Sequence, residues 1–133
     1  MMAGKILFLT LRVFSATGGI EKVCRVAGKA MYEFCKRYQL ELEICSLHDT
    51  IGEASGNRYL PAYHFSNFAG AKESFVIQAI QKGIQARLIA VSHINLLFPA
   101  WCVKKMSPST RIILFAHGIE IWDQLPARKR KML

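Results

Sequence analysis

The chain has 133 residues, 52% of them apolar, with 18 lysines and arginines against nine acidic residues and a formal charge of +9. A chain of this length buries roughly two-thirds of its unfolded surface, so one domain with a real core is expected and general disorder is excluded. The positive excess selects anionic partners (nucleic acid, lipid head groups or phosphorylated small molecules) without choosing among them.

Lys5 to Leu11 is almost continuously apolar and predicts a strand covered on both faces. Arg12 interrupts the run, which excludes a signal-peptide core. Beyond Gly18-Gly19, Ile20 to Tyr38 reads as a helix whose core face carries Ile20, Val23, Ala27, Ala30 or Met31, and Phe34. Lys22, Arg25, Lys29 and Lys36 fall on another face, and Lys36-Arg37 suits the negative end of the helix dipole. Leu40 to Leu47 predicts the second strand, and Asp49 to Pro61, with Gly52, Ser55, Gly56 and Asn57, reads as a surface loop. Tyr63 to Phe68 predicts a short third strand. Ala71 to Gln85 predicts a helix with Phe75, Ile80 and Ile84 inward, and Arg87 to Val91 a fourth strand. Ser92-His93-Ile94-Asn95 offers an N-cap to a helix from Leu96 to Met106, in which Pro99 is tolerable only within the first turn. Ser107-Pro108-Ser109 ends that helix, and Arg111 to Ala116 is the fifth strand. Leu88 to Val103 is the most apolar stretch, but His93, Asn95 and Pro99 interrupt it and it falls short of the ~20 residues that span a bilayer.

Strands alternating with helices predict an α/β fold: a parallel sheet with helices on both faces, built from right-handed βαβ units. In doubly wound sheets the ligand crevice opens at the carboxyl ends, where the strand order reverses. That topology would bring Gly18-Gly19, Ser92-His93 and His117-Gly118 to one place. Glycines between a buried strand and a helix let a ligand approach the backbone, and a helix N-terminus favours anions.

Neither G-x-G-x-x-G nor Gly-Lys-Ser/Thr surrounds Gly18-Gly19. Two readings stay open there: a plain strand-to-helix turn, or a backbone cradle for phosphate with Glu21 helping the helix start. His117 stands at the carboxyl end of a strand and precedes a turn glycine, which aims it into the crevice; a bond to a loop carbonyl is the other reading. His93 reads as a cap more than as a ligand contact. The histidines and the four cysteines (Cys24, Cys35, Cys45 and Cys102) lack zinc-ligand spacing, and no Gly-x-Ser-x-Gly marks a nucleophile. The cysteines read as reduced, buried thiols of a cytosolic protein. Arg128-Lys129-Arg130-Lys131 is either a solvated helix end or a contact with an anionic membrane surface. Aromatic residues do not interleave with the basic ones, so no nucleic acid is expected as partner.

Lys5-Ile6-Leu7-Phe8-Leu9, Gly18-Gly19-Ile20-Glu21-Lys22, Ser92-His93-Ile94-Asn95-Leu96-Leu97 and Phe115-Ala116-His117-Gly118-Ile119-Glu120-Ile121-Trp122 together resemble the start of group 1 (family four) glycosyltransferases. The resemblance implies the N-terminal, acceptor-side half of a GT-B fold, a Rossmann-like domain that faces a second one across a cleft. It implies a retaining transferase whose co-substrate is a nucleotide-sugar, with no bound metal and no further cofactor. Gly18, Gly19, Gly118, Glu120 and His93 would line the donor-phosphate and substrate region, and His117 would act at the transferred sugar. The acceptor would be a sugar or a lipid-linked sugar, in cell-surface polysaccharide or glycolipid synthesis. The family's C-terminal domain, with its paired glutamates, has no counterpart here, so residues 1–133 are expected to form a single domain, incomplete at its C-terminal end and inactive alone. The expected location is cytoplasmic, extending to the inner face of the membrane. Two other readings remain: a stand-alone flavodoxin-like module that binds a phosphorylated ligand, and a basic membrane-surface interaction protein.

Overall fold

The computed structural model describes residues 4–13, 19–55, 57 and 61–115. Five strands form one all-parallel sheet: β1 (Lys5–Thr10), β2 (Glu41–Ser46), β3 (Phe65–Asn67), β4 (Leu88–Val91) and β5 (Arg111–Leu114), in the spatial order β3-β2-β1-β4-β5. Among the described residues four α-helices accompany them: α1 (Gly19–Tyr38), α2 (Ile51–Ser55), α3 (Lys72–Ile84) and α4 (Leu97–Met106). The expected α/β, Rossmann-like class is therefore the one found. The flavodoxin-like alternative calls for the order 2-1-3-4-5. Here β3 adds outside β2 and the chain crosses back to place β4 beside β1, so that topology is corrected to the Rossmann order.

Strand alternation divides the core into two layers. Ile6, Phe8, Ile44 and Ala90 face α1 and pack with Cys24 and Cys35. Leu7, Leu9, Cys45, Ile89 and Val91 face the opposite side and pack with Phe75 and Ala79 of α3 and Ala100 and Val103 of α4. The chain steps one way from β1 to β3 and the other way from β3 to β5, so right-handed crossovers put α1 on one face and α3 and α4 on the other. The central strand is accordingly the driest element, with Leu7, Phe8 and Leu9 all fully buried.

Two faces differ from the sequence expectation. On α1 the stripe against the sheet runs through Cys24, Gly28 and Cys35, flanked by Ala27 and Met31, while Val23 and Phe34 are 47% and 49% exposed. The layer is already filled by Phe8 and Ile44, so the helix presents its small residues. A Cβ on Gly28 would stand 3.9 Å from the Ile44 side chain and 4.0 Å from the Phe8 ring. On α3 the inward residues are Phe75, Ala79 and Gly83, and Ile84 is 45% exposed. At Gly83 the helix α3 comes close to α4 and β4, since a Cβ there would meet Val103 Cγ2 at 2.7 Å and Ile89 Cδ1 at 3.0 Å.

Within the stretch read as loop, α2 is an added turn of helix. Thr50 and Glu53 close it as a capping box, with Thr50 N donating to Glu53 Oε1 at 3.0 Å and Glu53 N donating to Thr50 Oγ1 at 3.3 Å. Pro99 is the third residue of α4, in the first turn as required. No helix among the described residues is long and apolar enough to cross a membrane.

Candidate functional site at the carboxyl edge of the sheet

The strand order reverses between β1 and β4, and the carboxyl ends there carry an unusual row of residues. Thr10 pairs with Ser46, Ser46 pairs with Asn67, and Ser92 follows Val91, the partner of Leu9. By strand alternation all four side chains point to the α1 face, at the level where the strands end. Thr10 and Ser46 are fully buried, Ser92 is 1% exposed, and the Asn67 Oδ1 is buried without a hydrogen-bond partner among the described residues. Polar side chains in that position interrupt the apolar layer just beneath the start of α1. Thr10 Oγ1 donates to the Cys45 carbonyl at 3.3 Å, and Ser92 hydrogen-bonds Cys24 of α1. Burial nevertheless dominates at Cys24 and pushes its thiol above the ordinary range.

Asp49 organises the adjacent turn. It is fully buried, and its Oδ2 accepts hydrogen bonds from the Val13 backbone N–H and the Ser46 hydroxyl, both at 2.5 Å. Arg25 Nη1 donates to the Val13 carbonyl at 2.9 Å. The backbone of Val13 is thus held by a carboxylate at its N–H and a guanidinium at its carbonyl, which fixes where the chain leaves β1. Such charge-assisted bonds are about twice as strong as neutral ones. The next loop is tied to the same exit, with Leu47 N donating to the Thr10 carbonyl at 3.0 Å and His48 N to the Leu11 carbonyl at 2.8 Å.

Gly19 is the first residue of α1 and is exposed, and among the described residues beyond its chain neighbours and its own helix no atom lies within 4 Å of where its Cβ would be. Glu21 lies in the first turn. His93 lies at the same edge, just beyond β4. Its Nδ1 accepts the Asn95 N–H at 3.1 Å and so caps the 3-10 turn Ile94–Leu96 that leads into α4. That bond requires an unprotonated Nδ1. Gly18, His117, Gly118, Glu120 and the Arg128-Lys129-Arg130-Lys131 run lie outside the described residues.

On the α3/α4 face of the same edge lies a cleft of about 800 Å³. Leu11, Leu47 and Phe75 form its floor, Ile77 and Phe98 stand at its rim, and His48, Lys72, Glu73 and Asn95 supply its polar groups. This volume and this mixture of apolar walls with a few polar groups suit a small-molecule site. None of these polar residues was expected from the sequence. Their signal was positional: His48 and Asp49 directly follow an apolar strand, Asn95 lies four residues beyond one, and Lys72 and Glu73 open a helix whose preceding loop reaches the same edge.

No protein-family model matches the chain, and no curated protein or solved structure is significantly similar to it.

Proposed function

We propose that this chain is the acceptor-side Rossmann-like domain of a retaining glycosyltransferase that uses a nucleotide-sugar. The observation that carries the reading is the buried row Ser46–Thr10–Ser92 at the reversal of strand order, set beneath a helix start at Gly19 that no described residue outside the helix crowds. Free N–H groups at such a start stabilise the charge that builds on a departing diphosphate. Gly18 and Gly19 would admit that diphosphate, and His117, Gly118 and Glu120 would close the site from the end of β5. The 800 Å³ cleft beside it would hold the acceptor, with His48, Lys72, Glu73 and Asn95 hydrogen-bonding its hydroxyls. A second Rossmann-like domain would hold the nucleotide, so the 133 residues alone should not turn over.

The test is transfer by the chain joined to such a domain. Gly19→Val fills the space at the helix start and should lower transfer by about tenfold or more, as loss of a helix-terminal anion site would. His117→Ala should lower it as well, with unchanged thermal unfolding in both variants. Full activity in both, or robust turnover by the 133-residue chain alone, would contradict the proposal. The second reading, a module that binds a phosphorylated ligand without chemistry, rests on the same helix start. Titration with UDP, GDP, their sugars and flavin mononucleotide separates the two, because the module reading expects flavin mononucleotide or another simple phosphate ester to bind best.

A further inference from the structure

The opposite, amino-terminal edge of the sheet carries a second concavity, a groove of about 1010 Å³. Its apolar walls include Phe34, Tyr38, Ile84 and Ile113, which are 49%, 56%, 45% and 46% exposed. These side chains come from three different elements, α1, α3 and β5, and converge on one place although none is needed in the core. Side by side along the same groove stand Arg87 and Arg111, adjacent because Arg111 N donates to the Arg87 carbonyl at 3.0 Å. Ser109 adds a hydroxyl.

Among the described residues the charged groups lining this groove are Lys5, Arg87 and Arg111, all basic. No acidic residue lines it, and neither Arg87 nor Arg111 forms an ion pair among the described residues. Lys5, which also lines the groove, differs, being held by Glu43 at 3.2 Å, Glu41 at 4.0 Å and Gln85 at 3.3 Å. Arg87 is also seated: a Cβ on Gly4 would lie 2.7 Å from its Cδ and 3.2 Å from its Nη1, so the stem fits over the bare backbone of Gly4. The groove thus joins an apolar trough to two guanidinium groups, the side chain best suited to bidentate recognition of carboxylate or phosphate.

We propose that this groove is a binding site for a monomeric anionic amphiphile, a single alkyl chain that ends in a phosphate or carboxylate. The chain lies along Phe34, Tyr38, Ile84 and Ile113, and the head group bonds Arg87 and Arg111. The site is at the far edge of the sheet from the carboxyl-edge crevice, so it stands independently of the transferase reading.

Calorimetric titration of the purified chain with decyl phosphate, kept below its micelle concentration, tests this. Saturable one-to-one binding is expected, weakened about tenfold by Arg87→Gln combined with Arg111→Gln and by Ile113→Asp, all at exposed positions. Decyl maltoside and inorganic phosphate should each bind far more weakly, since one lacks the charge and the other the chain. These two arms need no variant and so do not depend on one folding. Equal binding of decyl maltoside, equal binding of inorganic phosphate, unchanged affinity in folded variants, or binding to phosphatidylglycerol vesicles with none to monomeric decyl phosphate would each overturn the proposal.

Discussion

Asp49 joins the ends of two strands through one oxygen, taking both the Val13 N–H and the Ser46 hydroxyl. Asp49→Ala leaves two buried donors without that acceptor and should cost about 2–3 kcal/mol in urea unfolding, with Asp49→Asn costing less. The thiols give a second residue-scale expectation. Burial pushes Cys45 up to about 12 and raises Cys24, Cys35 and Cys102, and of the four only Cys102 is partly exposed. Labelling with a disulfide reagent at pH 8 should therefore modify Cys102 first and Cys45 only on unfolding; rapid reaction of all four would contradict this packing. Little of this was legible in the chain. A polar residue after an apolar strand is common, and nothing local tells a buried Asp49 from a solvated one. His93 was legible, because a polar side chain ahead of a helical run has a free N–H within reach.

At the scale of elements, the close approach of α3 to α4 and β4 depends on Gly83. Gly83→Ala gains helix propensity of up to about 1 kcal/mol but drives its Cβ into the stiff, fully buried Val103, an overpacking cost of about 1–3 kcal/mol. A net loss of about 1 kcal/mol is expected by urea unfolding, and a gain would mean that α4 moves freely. The same helix is tied to the sheet through Glu43. Partial burial raises this carboxyl, but hydrogen bonds from Lys82 at 2.8 Å and from Lys5 outweigh it and hold it below the usual carboxylate range. Its contribution to stability is thus present above about pH 4.5, the unfolded value, and lost as the pH falls through the lower folded value. Glu43→Gln should lower stability near neutral pH and flatten that part of the acid limb, as urea unfolding at several pH values would read. Element types were readable because period-two and period-3.6 patterns are long-range signals. The inward face of α1 was not, since a helix with apolar residues on two sides can rotate by one residue, and the choice was made by the bulk of Phe8 and Ile44 across the interface. The α2 turn had its signal in Thr50-x-x-Glu53, hidden among loop-forming residues.

For the molecule as a whole, strand order is what turns separate turns into a site. The chain order of elements required only a parallel sheet; which strand flanks β1 was decided by the crossover from β3 to β4. That crossover places the reversal at β1 and β4, brings the Gly19 helix start and the His93 cap to one edge, and leaves the arginine-lined groove at the other. In the proposed function the β1/β4 carboxyl edge receives the diphosphate of a nucleotide-sugar. Amide chemical-shift mapping of the isotope-labelled chain during titration with UDP- and GDP-sugars tests it most directly. Shifts are expected to concentrate at Gly19 to Glu21 and at Ser92 and His93, and to be reduced in Gly19→Val. Shifts confined to Arg87 and Arg111, or none at millimolar ligand, would contradict it.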